Sequence, residues 1–495
     1  MKLPTIRSCK SGAITKLVLV PALLVLSNCQ AIARETSDPF GTDSLLPLMP
    51  ALRMDGTIND PCAAQPLDHA LNLQEVVSLA LCNNPQTHVA WANSLAQAAE
   101  VGVSKASYLP SAALNADANH NLSGSTAAVD QRSVGVTFSY LLYDFGMRSA
   151  NLESARQLLA AASASQDSTV QAVFLAVVQA YYQAQATNAA LDAALESERA
   201  AKESFAAAEA RYSAGSATPA DKLQAKTAYS QATLNRITAD GNLKNAQGTL
   251  ANMIGLDANR SVSLAPANTT AIPNDFEGDI NALIEEARRR RPDLQAAAAQ
   301  VKAAEASADA ARAAGRPTIS LTASSTRYYT SGINSNGSLV GINLSVPIFS
   351  GYAPTYRVRA AEAQVDVKNG QMEQLHLQVA LDVWTAYQNL NTATQSMRTS
   401  ADLLDSAEQS ERVALGRYKA GVGSILDVLN AQSALASARQ QRIQSTFNWN
   451  ISRATLAQAM GSLDSGLLQT LSNSRNQQPV ENPKSDENKA QKQQP

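Results

Sequence analysis

The chain has 495 residues and is 45% hydrophobic but only 5% aromatic, so it is long enough for one large domain or two to three ordinary ones yet lacks the bulk of large compact cores. A formal net charge of −2 excludes the polyelectrolyte signal of a nucleic-acid binder. Alanine replaces the missing bulk, as in Gln295 to Ala314, and alanine mixed with Glu, Gln, Arg and Leu is the composition of long, closely packed helices.

Lys2, Arg7, Lys10 and Lys16 precede an apolar run from Leu17 to Leu26 and then Ala31-Ile32-Ala33, which together read as a secretory signal over residues 1–33. The run is about half the ~20 residues a helix needs to span a bilayer, and Pro21 interrupts it. A competing reading is lipid attachment at Cys29, although Asn28 stands where a small residue is normally found. Either processing leaves Cys62 and Cys82 in an oxidising compartment, where two such residues tend to pair. A disulfide is expected, worth about 3 kcal/mol for a loop of roughly twenty residues; two separately buried thiols are the alternative. Residues 34–70, a periplasmic amino-terminal segment, show no regular pattern.

From residue 71 onward the chain is written twice, at a spacing of about 206 residues, far too long for a solenoid unit. Asn84-Pro85 corresponds to Arg291-Pro292, Ala180-Tyr181 to Ala386-Tyr387, and Arg211-Tyr212 with Gly215 and Asp221 to Arg417-Tyr418 with Gly421 and Asp427. The repeats run over 71–256 and 279–461, joined by a linker at 257–278. In the first, a helix is predicted over Leu71 to Ser107, stopped by Pro110. Strands follow over Ser111 to Leu122 and Arg132 to Tyr143, the second setting Val134, Val136, Phe138, Tyr140 and Leu142 against Ser133, Gly135, Thr137 and Ser139. Leu339 to Phe349 alternates likewise in the second repeat. Polar loops, Asn121 to Gln131 and Thr330 to Gly337, join the strand pairs.

Ten to twelve residues match the ~9–11 that cross a bilayer in a tilted strand, and nothing else in the sequence is apolar and bulky enough to cover these faces. Four strands cannot close a membrane barrel, which needs at least about eight, so protomers must share one. Each strand pair leads into a very long helix, Met147 to Tyr212 and Pro354 to Tyr418, on the order of 100 Å at 1.5 Å per residue. In the first, Val170, Val177, Ala184 and Leu191 recur every seven residues, interleaved with Phe174, Tyr181, Asn188 and Leu195, the pattern of coiled packing. The helices turn at Gly215 and Gly421 and return as Pro219 to Met253 and Ser424 to Met460, with Gly255 and Gly461 as stops. Arg288 to Arg291 read as charges at the favourable end of a helix dipole. The tail from Ser472, rich in Gln, Asn, Lys and Pro, is too polar to fold alone; a disordered periplasmic tail is expected over 462–495.

The order of elements, the duplication and several phrases resemble the TolC family of outer-membrane export ducts over nearly all of Leu71 to Gly461. The most specific are Arg417-Tyr418-Lys419-Ala420-Gly421 through Ile425-Leu426-Asp427-Val428-Leu429-Asn430-Ala431, and Val346-Pro347-Ile348-Phe349-Ser350-Gly351. Pro61-Cys62 and Ala80-Leu81-Cys82-Asn83-Asn84-Pro85 look like the subgroup serving type I secretion, CyaE-like ducts among them. The resemblance implies an α+β membrane protein in the outer membrane: a homotrimer with a twelve-stranded β-barrel, four strands per protomer, continued by a periplasmic α-helical barrel. It implies as partners a periplasmic adaptor and an inner-membrane ABC transporter or other pump, with protein or small-molecule cargo. It also implies a closed tip where Asp221 and Tyr418 bridge hairpins and Asp427 forms an acidic ring able to attract cations. The family's bridging arginine position holds Gly423 and its second acidic position Asn430.

The four histidines are isolated, without zinc spacing, and no phosphate loop, serine elbow or Cys-x-x-Cys is present, so neither a cofactor nor an enzyme is expected. The rival reading is a periplasmic coiled-coil adaptor. It would need one hairpin and a separate β-rich domain, whereas this chain has two hairpins and two strand pairs.

Overall fold

A computed structural model describes residues 38–45, 69–123, 126–260, 262–265, 279–330 and 333–463. The expected signal segment, Cys29, Cys62 and the polar tail lie outside the described residues. The first repeat comprises α1 (Leu73–Asn83), α2 (Pro85–Ala106), β1 (Ser111–Ser123), β2 (Thr126–Tyr143), α3 (Met147–Ser213) and α4 (Pro219–Met253). The second comprises α5 (Ile280–Arg290), α6 (Pro292–Ala313), β3 (Thr318–Thr330), β4 (Ile333–Ser345), α7 (Ala353–Lys419) and α8 (Ile425–Ala459). Both long helices have 67 residues and both return helices 35.

The helix expected over Leu71 to Ser107 is two helices. Proline disfavours the helical region for the residue before it, and Asn84 is extended at φ −70°, ψ 126°, where its side chain accepts from the Gln86 N–H and caps α2. Arg291 before Pro292 is likewise extended, at φ −62°, ψ 123°, but its side chain makes no cap hydrogen bond. Here the dipole reading of the four arginines needs correction. Arg288, Arg289 and Arg290 pair with Glu285 and Glu286 on their own helix, but Arg291 is largely buried and bridges Asp293 (2.6 Å) and Asp382 (2.8 Å), tying the α5–α6 break to α7.

The four strands form one antiparallel sheet in the order β1-β2-β3-β4. Phe138 lies between Ala112 and Ala323, and Tyr140 beside Leu321, which in turn pairs with Ile342, so one face is apolar across the sheet. Its side chains are exposed in the protomer, Val340 at 75% and Ile342 at 72%. The opposite face is polar: Asn115, Asp117, Ser133, Thr137, Thr326 and Tyr328 line a cavity of about 350 Å³. Aromatic pairs mark the helix-side border of the apolar band, Tyr143 with Phe145 (ring centroids 4.7 Å) and Phe349 with Tyr352 (5.7 Å), as girdles do in membrane barrels.

Two strand boundaries differ from expectation. β2 begins at Thr126, inside the segment read as a loop, because backbone pairing continues where the side-chain alternation has ended. β4 ends at Ser345, short of Phe349, because Pro347 has no N–H for the ladder.

The helices pack side by side. Near the sheet the neighbours run α2-α3-α6-α7, and at the far end α4-α3-α8-α7. Two buried clusters hold the middle: Phe174, Val177 and Val178 of α3 with Val76, Val77 and Leu250, and Val379, Val383 and Met397 of α7 with Trp449 and Leu456. The seven-residue seam of α3 is buried from Val170 through Ala184, but Asn188 and Leu195 are exposed. Beyond Ala184 the seam shifts to Ala201, Ser204 and Ala208. There α4 and α8 stand apart over α3, leaving a groove of about 910 Å³ lined by alanine, serine, threonine, asparagine and glutamine, with Ile443 as its one larger apolar residue. No described helix is long and apolar enough to cross a membrane.

Sheet and helices meet at a buried ion pair. The Arg148 Nε donates to Asp144 Oδ2 (3.0 Å), its remaining nitrogens donate to the carbonyls of Ser107 and Leu142, and its guanidinium lies 4.9 Å from the Tyr108 ring centroid. The second repeat has Ser350, Pro354 and Gly315 at the corresponding positions, and Gly315 approaches Pro354 directly. Removing one partner of a buried pair leaves the other charge uncompensated. Asp144→Ala is therefore expected to destabilise the protein by about 3 kcal/mol, read as a shift of the urea midpoint followed by circular dichroism. Glu153→Ala, in the exposed pair with Arg156, is expected to cost less than about 0.5 kcal/mol.

Candidate functional site at the hairpin ends

The residues expected at the tip converge where α3, α4, α7 and α8 meet. Each hairpin is built by a helix stop followed by a helix start. At the end of α3 the Gly215 N–H donates to the Tyr212 carbonyl (3.0 Å) and the Ser216 N–H to the Arg211 carbonyl (2.9 Å). At the end of α7 the Gly421 N–H donates to Tyr418 (3.1 Å) and the Val422 N–H to Arg417 (3.0 Å). These six-to-one and five-to-two closures need a left-handed residue, and Gly215 and Gly421 supply it at φ +74° and +79°.

Both starts are capping boxes. Thr218 donates from its N–H (2.9 Å) and its hydroxyl (2.8 Å) to Asp221 Oδ2, and the Asp221 N–H donates back to Thr218 Oγ1 (3.2 Å). In α8 the Ser424 N–H donates to Asp427 Oδ2 (3.3 Å) and the Leu426 N–H to Ser424 Oγ (3.0 Å). Asp221 and Asp427 thus occupy equivalent places near the positive ends of their helices. Asp427 and Asn430 are exposed, one helical turn apart. The contacts of the Asp221 carboxylate are with Thr218, within its own turn.

The two tyrosines are sequence equivalents with opposite fates. Tyr212 is 41% exposed, with Lys222 Nζ 5.5 Å from its ring centroid, whereas Tyr418 is 6% exposed. Tyr418 sits in a small core with Ala208 of α3, Ala225 of α4, and Ile425 and Val428 of α8, so this side chain binds one hairpin to the other. Against it lies a residue that the sequence reading noted only as a repeat landmark. Arg211 Nη2 donates to the Tyr418 carbonyl (2.6 Å) and its guanidinium carbon is 4.0 Å from the Tyr418 ring centroid. The recurrence of Arg-Tyr in the last turn of both long helices was the available signal; the crossing of one repeat's arginine to the other's tyrosine was not in it.

Gly423 has a physical reason to lack a side chain. A Cβ there would lie 2.9 Å from the Tyr418 backbone nitrogen and 3.1 Å from the Arg417 carbonyl carbon, so in this turn an arginine would require the backbone to move. Among the described residues no group of three or more His, Cys, Asp or Glu is placed to hold a metal ion. Cys82, at the end of α1, is buried and disulfide-bonded.

Comparison with known proteins agrees with this architecture. Residues 76–256 and 283–462, the two repeats, match the family model described as outer membrane efflux protein. The chain is 33% identical over 392 residues to protein CyaE of Bordetella pertussis, covering 77% of this chain and 82% of that protein. It is 27% identical over 290 residues to outer membrane protein TolC of Escherichia coli, covering 55% and 58% respectively. A crystal structure of a membrane protein from Pseudomonas aeruginosa superposes with a TM-score of 0.69 at 25% identity, covering 79% of this chain and 93% of that one.

The Asp221 cap makes a prediction. The backbone N–H and then the hydroxyl of Thr218 stabilise the carboxylate and hold its pKa below the ordinary 3.8. A depressed folded value contributes stability in full above the unfolded one and loses it as the pH falls through the folded one. Amide protection factors in the first turn of α4, corrected for the intrinsic pH dependence of exchange, are therefore expected to stay constant from pH 7 to about pH 4, then to fall at lower pH. Asp221→Asn should abolish that acid dependence.

Proposed function

Because the chain belongs to the outer membrane efflux protein family, we propose that it works as a homotrimer in which three four-stranded sheets close one twelve-stranded barrel. The protein is an outer-membrane channel of the secretion and efflux type, not an enzyme, and its helical part forms a periplasmic tunnel. The observation that carries the shared barrel is the sheet itself: among the described residues β1 and β4 are both edges, and an unpaired edge is not tolerated in hydrocarbon; geometry permits two, three or four copies, and the number three comes from the family resemblance. The helices support the same assembly. The outer face of α7 exposes Leu377, Leu381 and Trp384, and the elements at the other side of the protomer expose Val103 on α2 and Leu234 and Ile237 on α4, apolar surface that a neighbouring copy would cover.

An adaptor and an inner-membrane transporter complete the path for cargo. The groove between α4 and α8, with its small and amide side chains, has the character of a surface on which a further helix can pack closely. Likeness to CyaE and the cysteine-bearing start favour a type I secretion partner of the ABC class over a drug pump. In this reading Cys82 pairs with Cys62. Tyr418 and Asp221 belong to the closed entrance, and three copies of Asp427 ring the axis, repelling one another and attracting cations.

Crosslinking in detergent should give trimers from the outer-membrane fraction; a stable monomer in both detergent and water would reject the assembly. In planar bilayers Asp427→Ala is expected to weaken block by a trivalent cation by roughly tenfold, and an unchanged block removes Asp427 from the conduction path. Mass spectrometry of the unreduced protein should recover a peptide pair joined through Cys62 and Cys82, and reduction should lower stability by about 3 kcal/mol.

A further inference from the structure

We infer that Arg211 is the latch between the two hairpins: its guanidinium caps the carboxyl end of α7 and covers the Tyr418 ring, so that α7 and α8 cannot swing from α3 and α4 without breaking both contacts. The inference rests on the channel reading, in which the hairpin ends form the entrance, and assigns the holding contact to a residue that the family resemblance does not.

Three observations carry it. The first is electrostatic. The last carbonyls of a helix carry the negative end of its dipole and favour a cation, and the Tyr418 carbonyl, already accepting from Gly421, takes the Arg211 Nη2 at 2.6 Å. The second is geometric. A planar guanidinium can donate at its edge while its face stacks on an aromatic ring, and both occur here on one residue, with 4.0 Å to the ring centroid. The third is the departure from two-fold repetition. Arg417, the equivalent of Arg211, is exposed, and Tyr212, the equivalent of Tyr418, is exposed too. One hairpin end is therefore a holder and the other is held. Gly423 leaves no room in the α7–α8 turn for a side chain to take over the role.

Near the latch, the described contacts of α3 with α8 include the neutral pair Ser204 and Gln432 (3.1 Å) and the small Tyr418 core. Loss of the guanidinium leaves that core in place, so the variant should fold while its hairpins separate more readily.

The test uses the purified full-length protein. In planar bilayers Arg211→Gln is expected to raise the ratio of open to closed time by roughly tenfold, the weight of one charge-assisted hydrogen bond. Arg417→Gln should behave as the wild type. Arg211→Lys should fall between, because lysine keeps the charge but not the planar fork. Hydrogen exchange supplies a readout independent of conduction: Arg211→Gln should speed exchange at residues 414–423 and leave the Phe174 and Val379 cores protected. If the wild type forms no pores yet Arg211→Gln still loosens residues 414–423, the channel reading fails and the latch stands. If Arg211→Gln matches the wild type in both gating and exchange, the latch is rejected.

Discussion

The requirement that every backbone polar group in hydrocarbon find a partner governs this molecule. Among the described residues, four antiparallel strands satisfy one another internally and leave the outer edges of β1 and β4 without partners, while nothing covers the apolar face of the sheet. A chain built this way is one segment of a wall. Its exposed valines, isoleucines and leucines are uncovered because lipid is their solvent, and the polar face behind them is what a water-filled passage requires.

The same constraint explains the proportions of the rest. Helices of 67 residues need no globular core, since each is held laterally by its neighbours and by two apolar clusters at mid-height. Away from those clusters the contacts are mostly small residues and polar pairs, with two smaller apolar clusters around Tyr418 and around Leu435. That distribution puts the larger apolar clusters at mid-height and the smaller ones toward the hairpin ends. The groove over α3 lies in this less tightly packed stretch.

Duplication supplied two similar halves, and they have diverged at three places. At the sheet-to-helix joint, the Arg148–Asp144 pair and its aromatic neighbour in one half are replaced by proline against glycine in the other. At the helix breaks, Asn84 caps while Arg291 forms ion pairs. At the tip, one tyrosine is buried and the other exposed, and one arginine reaches across. Exact two-fold repetition would give two interchangeable hairpins, whereas the proposed latch needs one that holds and one that is held.

The sequence by itself determined the elements and their order. Pro219, Gly215 and Gly421 placed the hairpin turns, and alternation at Val134 to Tyr140 identified the membrane face, because these signals are local consequences of backbone conformation and periodicity. The tail of that logic was lost wherever side-chain pattern and backbone pairing part company: strand pairing reaches back to Thr126 through a stretch without alternation, and Pro347 ends β4 despite apolar neighbours. The seam beyond Ala184 was misplaced because the heptad says which face is apolar, not where a partner helix diverges. Only the tertiary structure decided that Tyr418 rather than Tyr212 would be buried, that Gly423 is hemmed in by Tyr418 and Arg417, and that Arg211 would meet a carbonyl more than two hundred residues away. Such contacts depend on how two similar hairpins are packed against each other, and the Arg-Tyr pair that both share carries no information about which of them will hold and which will be held.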